Sequence, residues 1–165
     1  MVHVWIFVYG SLMCDYKQYR PQHIKNAVLW GFERKFNKPS TERVGTKKQP
    51  GLALGITKGK KCIGKVIYVD EKEHSKIKKR EGGYEEATTL DITNMDGTKI
   101  PGCIVYVPEK PTNYDLEKQA EIITQSKGEI TNLDYFQDVY NTLKKADIKD
   151  GYIELLNLKI KKLLM

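Results

Sequence analysis

Glu81, in Arg80-Glu81-Gly82-Gly83-Tyr84, combines residue type and surroundings in a way that could support chemistry. A carboxylate works as a general base near neutral pH when its pKa is raised. A helix ending here would point the negative end of its dipole at Glu81 and disfavour the anion. Burial would act the same way, whereas Arg80 and the nearby lysines would act against it. The two glycines let backbone or a ligand come close, and Tyr84 can open a strand that walls a pocket. The plain alternative is a surface charge at a helix end.

The second constellation opens the chain. The near-continuous apolar run Val2 to Val8 leads straight into Tyr9-Gly10-Ser11-Leu12. A buried strand ending at a glycine turn presents consecutive backbone N–H groups, which can form a nest for carboxylate or carbonyl oxygens. Tyr9 and Ser11 add hydroxyls beside it. Ser11 is not in a G-x-S-x-G elbow, so it is read as a hydrogen-bonding group rather than a nucleophile. The alternative is an ordinary strand-end turn.

Other chemistries find little support. His3, His23 and His74 are isolated, with no metal-binding spacing, so no metal is expected. Cys14, Cys62 and Cys103 are odd in number and form no C-x-x-C pair, which argues against a disulfide framework. The chain has no P-loop and no G-x-G-x-x-G, so nucleotide binding has no support. The net charge is +7, but Lys58 to Lys61, Lys76 to Arg80 and Lys159 to Lys162 lie far apart and are not interleaved with aromatics. That favours a solvated basic surface over nucleic-acid binding.

The elements that must position these residues can be outlined. Strands are expected at Val2–Tyr9, Asn26–Phe36, Gly51–Ile56 and Cys62–Val69, with a turn at Lys58-Gly59-Lys60 and a long loop from Lys38 to Gly51. Asp70 can cap a helix whose first turn holds Glu71 and Glu73 and whose last holds Lys78, Lys79 and Arg80. Gly82 or Gly83 can take the left-handed position after it. Tyr84–Ile92 and Ile100–Val107 suggest a hairpin around Asp96-Gly97. Three apolar stripes at helical spacing follow, the second behind the capping-box start Thr131-x-x-Asp134. The 165 residues suit one domain, 1–165, of α+β class. No apolar run approaches the ~20 residues of a membrane span, and the opening segment lacks the basic start of a signal peptide. A cytoplasmic monomer is expected.

Taken in order, these motifs resemble the gamma-glutamylcyclotransferase superfamily, in its ChaC-like branch. Tyr9-Gly10-Ser11-Leu12 resembles the family's substrate-binding loop, and Arg80-Glu81-Gly82-Gly83-Tyr84 the segment carrying its catalytic glutamate. Arg34-Lys35-Phe36, Ser40, Arg43, Gly45-Thr46 and Pro50-Gly51 resemble the branch's long loop. Tyr106 lies where the family often has a strand aromatic. Ser126-Lys127-Gly128, Tyr135, Leu143 and Ile148-Lys149-Asp150 resemble its tail. Val44 interrupts the usual R-G-T, and Met13-Cys14-Asp15 stands where a tryptophan is usual. The resemblance implies a small mixed sheet or barrel with flanking helices and a helical C-terminal part. It also implies cleavage of glutathione to 5-oxoproline and cysteinylglycine without a cofactor. Glu81 would be the acid/base, and Tyr9, Gly10, Ser11, Leu12, Arg43, Tyr84 and Tyr106 would bind substrate. The alternatives are another γ-glutamyl amino acid or amine as substrate, or a non-catalytic binding module.

Overall fold

The structure, a computed structural model, describes residues 2–165. Among these, six strands form one mixed sheet in the order β4-β6-β1-β3-β2-β5, accompanied by five α-helices. The strands are β1 (His3–Val8), β2 (His23–Ser40), β3 (Gly51–Asp70), β4 (Tyr84–Ala87), β5 (Ile92–Asn94) and β6 (Ile104–Pro108). The helices are α1 (Ser11–Asp15), α2 (Glu71–Arg80), α3 (Leu116–Gln125), α4 (Asn132–Lys145) and α5 (Gly151–Leu163). A 3₁₀ turn, Tyr16–Tyr19, follows α1. No described helix is long and apolar enough to cross a membrane.

The chain divides into two compact units. The first comprises Met1–Glu33 and Thr57–Glu109. Its centre is β1, which pairs antiparallel with β3 and parallel with β6. With a neighbour on each side, β1 ends in three buried apolar residues, Ile6, Phe7 and Val8, instead of alternating with polar ones. Ile77 of α2 is also fully buried.

The second unit comprises Arg34–Ile56 and Lys110–Met165. Its core holds Phe36, Leu54, Ile123, Phe136, Val139 and Leu156, with α3 packed on α4 and α5. Arg34, almost fully buried, pairs with Asp150 at 3.0 Å, and Asp150 also caps α5 by accepting from the Ile153 N–H. Three chain segments cross closely around Gly45, Gly51 and Gly128. A Cβ on Gly45 would lie 2.0 Å from the Gly51 nitrogen, and one on Gly128 2.1 Å from the Glu42 oxygen. Val44 is fully buried beside this crossing, its N–H donating to Ser40 Oγ at 3.2 Å. Asn132 Oδ1 accepts from the Leu52 N–H at 2.7 Å, and its Nδ2 donates back to the Leu52 carbonyl at 3.0 Å.

Three expectations are corrected. Gly51–Ile56 and Cys62–Val69 are one continuous strand, and Lys58-Gly59-Lys60 is not a turn. Gly59 is there for close approach: its Cβ would lie 2.2 Å from Glu33 Cγ, and Glu33 Oε1 accepts from the Lys60 N–H. The hairpin Tyr84–Ile92/Ile100–Val107 is only partly formed. Its outer parts pair as β4 and β6, but Ile92–Asn94 crosses to the far edge of the sheet and pairs with β2. Burial of Ile92 and Thr93 accompanies that choice. Finally, the loop read at Tyr9-Gly10-Ser11-Leu12 is helical from Ser11 on, because Ser11 begins α1, and Leu12 and Met13 are buried.

Candidate active site

Helix α2 leads directly to Glu81. Asp70 Oδ1 accepts from the Glu73 N–H at 2.9 Å, fixing the helix start. Glu71 and Glu73 lie in the first turn and Lys78, Lys79 and Arg80 in the last, each complementing the helix dipole. Glu81 is the C-cap. Its N–H still donates to the Ile77 carbonyl at 3.1 Å, and its own carbonyl accepts from the Tyr84 N–H at 3.2 Å. Gly83, at φ +84°, supplies the left-handed step that starts β4. Glu81 and Tyr84 are both half-buried on this turn.

Arg80 ties the same helix end to the opening segment. Its Nη1 donates to Asp15 Oδ1 at 2.7 Å and to the Tyr19 hydroxyl at 3.2 Å, and its Nη2 donates to Ser11 Oγ at 3.3 Å. Burial would lower the Arg80 pKa, but the hydrogen bonds and charges of Asp15 and Tyr19 outweigh it and hold it above its ordinary value. The guanidinium is therefore a permanent cation. Ser11 Oγ accepts from it, so the serine's own O–H is left as a donor.

Tyr9 and Tyr106 lock the opening segment to β6. The buried Tyr9 hydroxyl donates to the Tyr106 carbonyl at 2.5 Å. Tyr106 stands opposite Glu86 in the β4–β6 register, and its hydroxyl donates to Glu86 Oε2 at 2.7 Å. His74 Nε2 lies 2.9 Å from the same oxygen, and Lys78 Nζ is 3.9 Å from Oε1. Burial alone would raise the Glu86 pKa, but the hydrogen bonds from Tyr106 and His74 and the charges of His74 and Lys78 lower it overall. Tyr106 moves the other way. Burial, its bond to Glu86, and the negative fields of Glu86 and Glu81 all raise its pKa well above the ordinary phenol value.

Tyr9, Ser11, Glu81, Tyr84 and Tyr106 thus belong to the first unit, on elements joined by these bonds, with Gly10 and Leu12 beside them in the chain. Arg43 belongs to the second unit, where its guanidinium carbon lies 5.7 Å from the centroid of the Tyr135 ring. Much of the long-loop and tail motif also has a role within that unit: Arg34, Ser40, Gly45, Gly51, Gly128 and Asp150 make its buried ion pair, its tight crossing and a helix cap. Sequence reasoning missed Glu86, His74, Asp15 and Tyr19. The one available signal was strand alternation, which puts Tyr84 and Glu86 on one face. Among the described residues no group of three His, Cys, Asp or Glu side chains could hold a metal ion. Cys103 is buried, and that burial pushes its thiol pKa up to about 12, so it is no thiolate nucleophile.

Comparison with known proteins agrees with this architecture. The structure resembles a glutathione-specific gamma-glutamyl cyclotransferase from yeast, with a TM-score of 0.82 at 19% identity, covering 98% of this chain and 99% of that one. A second solved structure, described as a gamma-glutamyl cyclotransferase, gives 0.63 at 17% identity over 94% and 87% of the two chains. YkqA from Bacillus subtilis gives 0.64 at 16% identity, covering 98% of this chain and 55% of that one. At these identities the likeness is one of fold. No curated protein sequence matches the chain. The family model for ChaC-like proteins matches residues 4–163, and the chain belongs to that family.

Proposed function

We propose that this protein is a gamma-glutamylcyclotransferase acting on glutathione, with Glu81 as its general acid/base. In the reaction, the α-amine of a γ-glutamyl group attacks its own γ-carbonyl carbon. The ring of 5-oxoproline closes and cysteinylglycine leaves. The amine is largely an ammonium at neutral pH, so it must first lose a proton. Glu81 would take that proton and later return one to the leaving nitrogen. The segment from Tyr9 to Leu12 would hold the glutamyl α-carboxylate or the developing oxyanion through its N–H groups and the Ser11 hydroxyl. Tyr84 and Tyr106 would flank the substrate. Holding amine and carbonyl in a ring-like conformer supplies a further part of the rate.

The observation that carries this reading is the Arg80 clamp. The residue next to Glu81 is bonded to Ser11, Asp15 and Tyr19, so the helix end bearing the carboxylate is tied to the segment that would bind substrate. ChaC-like family membership supports the same reaction class. Glutathione is favoured by the fold shared with the yeast glutathione-specific enzyme.

The test is direct. Purified protein incubated with glutathione should release 5-oxoproline and cysteinylglycine in equal amounts. Glu81→Gln should retain the fold and lose about 10²–10⁴-fold in turnover, the usual worth of a positioned acid/base. Wild-type turnover in Glu81→Gln would remove Glu81 from the mechanism. If γ-glutamylalanine outpaces glutathione widely in kcat/KM, the glutathione assignment fails and the reaction class stands. No product from any γ-glutamyl compound leaves a binding module.

A further inference from the structure

Glu86 sits outside the motifs that point to a reaction, yet it controls the direction of one hydrogen bond near Glu81. A carboxylate can only accept, so the Tyr106–Glu86 contact at 2.7 Å commits the phenol proton to Glu86. The assignment is reinforced from two sides. His74 Nε2 donates to the same Glu86 oxygen and Lys78 lies beside the other, which keeps the carboxylate ionised. Tyr106 is 5% exposed and stays protonated. With its proton engaged, the Tyr106 oxygen has only lone pairs to offer any other partner. The same phenol lies within the electrostatic reach of Glu81.

We propose that Glu86 is a positioning residue for the reacting amine: by holding the Tyr106 proton, it makes the phenol oxygen an acceptor for the substrate's α-ammonium. This rests on the cyclotransferase reading above. An α-ammonium has three N–H donors and no acceptor, so it needs lone pairs around it. Glu81 provides one partner and removes a proton. Tyr106 provides a second, which the nitrogen keeps after that proton has left, so the freed lone pair stays aimed at the γ-carbonyl. A phenol whose own proton pointed at the ammonium would repel it. The register of β4 against β6 makes the arrangement durable, because Glu86 and Tyr106 are directly opposite residues of one ladder.

The experiment compares two ligands across three variants. The ligands are glutathione, as substrate, and its analogue with hydrogen in place of the α-amine, as competitive inhibitor. Glu86→Met removes the acceptor. Glu86→Gln keeps a neutral acceptor at the same reach. Tyr106→Phe removes the phenol oxygen. Glu86→Met and Tyr106→Phe should each lose about 10–100-fold in kcat/KM, the size of one hydrogen bond to a charged group. Glu86→Gln should recover most of that loss. The inhibition constant of the amine-free analogue should stay within about twofold in all three, because it lacks the group being positioned. A purely structural role for Glu86 would weaken both ligands in parallel, and that result overturns the assignment. So does wild-type kcat/KM in Tyr106→Phe, a test that holds even if Glu86→Met does not fold. Wild-type protein inert toward every γ-glutamyl substrate overturns the cyclotransferase reading itself, an outcome distinct from any variant-to-wild-type ratio.

Discussion

Replacing Arg80 with methionine keeps much of the side-chain stem and removes the guanidinium that bonds Asp15, Tyr19 and Ser11. The energetic cost can be worked bond by bond. The Asp15 carboxylate is 40% exposed and can be rehydrated, so its share is held to about 1 kcal/mol. The hydroxyls of Tyr19 and Ser11 contribute about 1 kcal/mol each at most. The weak contact of the guanidinium with the Tyr19 ring, 5.9 Å to the centroid, adds little. Releasing a long ordered side chain offsets about 1 kcal/mol of the total. The net loss is about 1–2 kcal/mol, which lowers Tm by about 3–6 °C in a chain of this size. Activity should fall further than stability. The lost bonds position the residue before Glu81, and a displacement near 1 Å can cost about 100-fold in rate. Thermal melting and kcat/KM with glutathione, measured on one preparation, check both figures. An unchanged Tm would mean that the bonds do not form in solution. A lowered Tm with turnover kept within about twofold would refute the claim that Arg80 positions Glu81.

Two further predictions concern the second unit. Asn132→Leu should cost about 2–5 kcal/mol in urea unfolding, because it strands the buried N–H and carbonyl of Leu52, each worth about 1–3 kcal/mol unpaired; a loss below about 1 kcal/mol would mean that water replaces the amide. Gly128→Ala should destabilise by more than about 3 kcal/mol or abolish soluble expression, since the new Cβ meets the backbone oxygens of Glu42 at 2.1 Å and Gly45 at 2.6 Å. Gly82→Ala is the control: a Cβ there meets nothing within 4 Å, so its melting curve should overlay the wild type.

What could be read from the sequence was local. Asp70 and Thr131 cap their helices through N–H groups three residues ahead, a pattern visible in any short window. Glu81 stood out for the same reason, as a carboxylate at a helix end followed by two glycines. Its partners did not stand out, because they depend on how distant segments meet. Arg80 and Asp15 are 65 residues apart, and Glu86 meets Tyr106 only through strand register. Glycine was the ambiguous residue. Gly59 looks like a turn former between lysines, yet it lies inside a strand because the side chain of Glu33 needs the space. Gly45 and Gly128 carry no local sign that three segments cross there. The motif residues of the long loop were legible as a pattern, but their structural work could be assigned only once Arg34 had been seen against Asp150.

The parallel pairing of β1 with β6 also sets a schedule for synthesis. Tyr9 and the residue it bonds, Tyr106, are 97 positions apart in the chain. At ~5–20 residues per second, the first strand is made about 5–20 s before that neighbour exists. β3 can cover one edge of β1 in the interval, but the other edge, where β6 will lie, stays open as a template for pairing with foreign chains. The nascent protein therefore carries an aggregation hazard along the edge that later holds Tyr9 against Tyr106. Damage to β6 threatens yield before it threatens turnover, and the order in which the ribosome releases the strands becomes part of how this site is made.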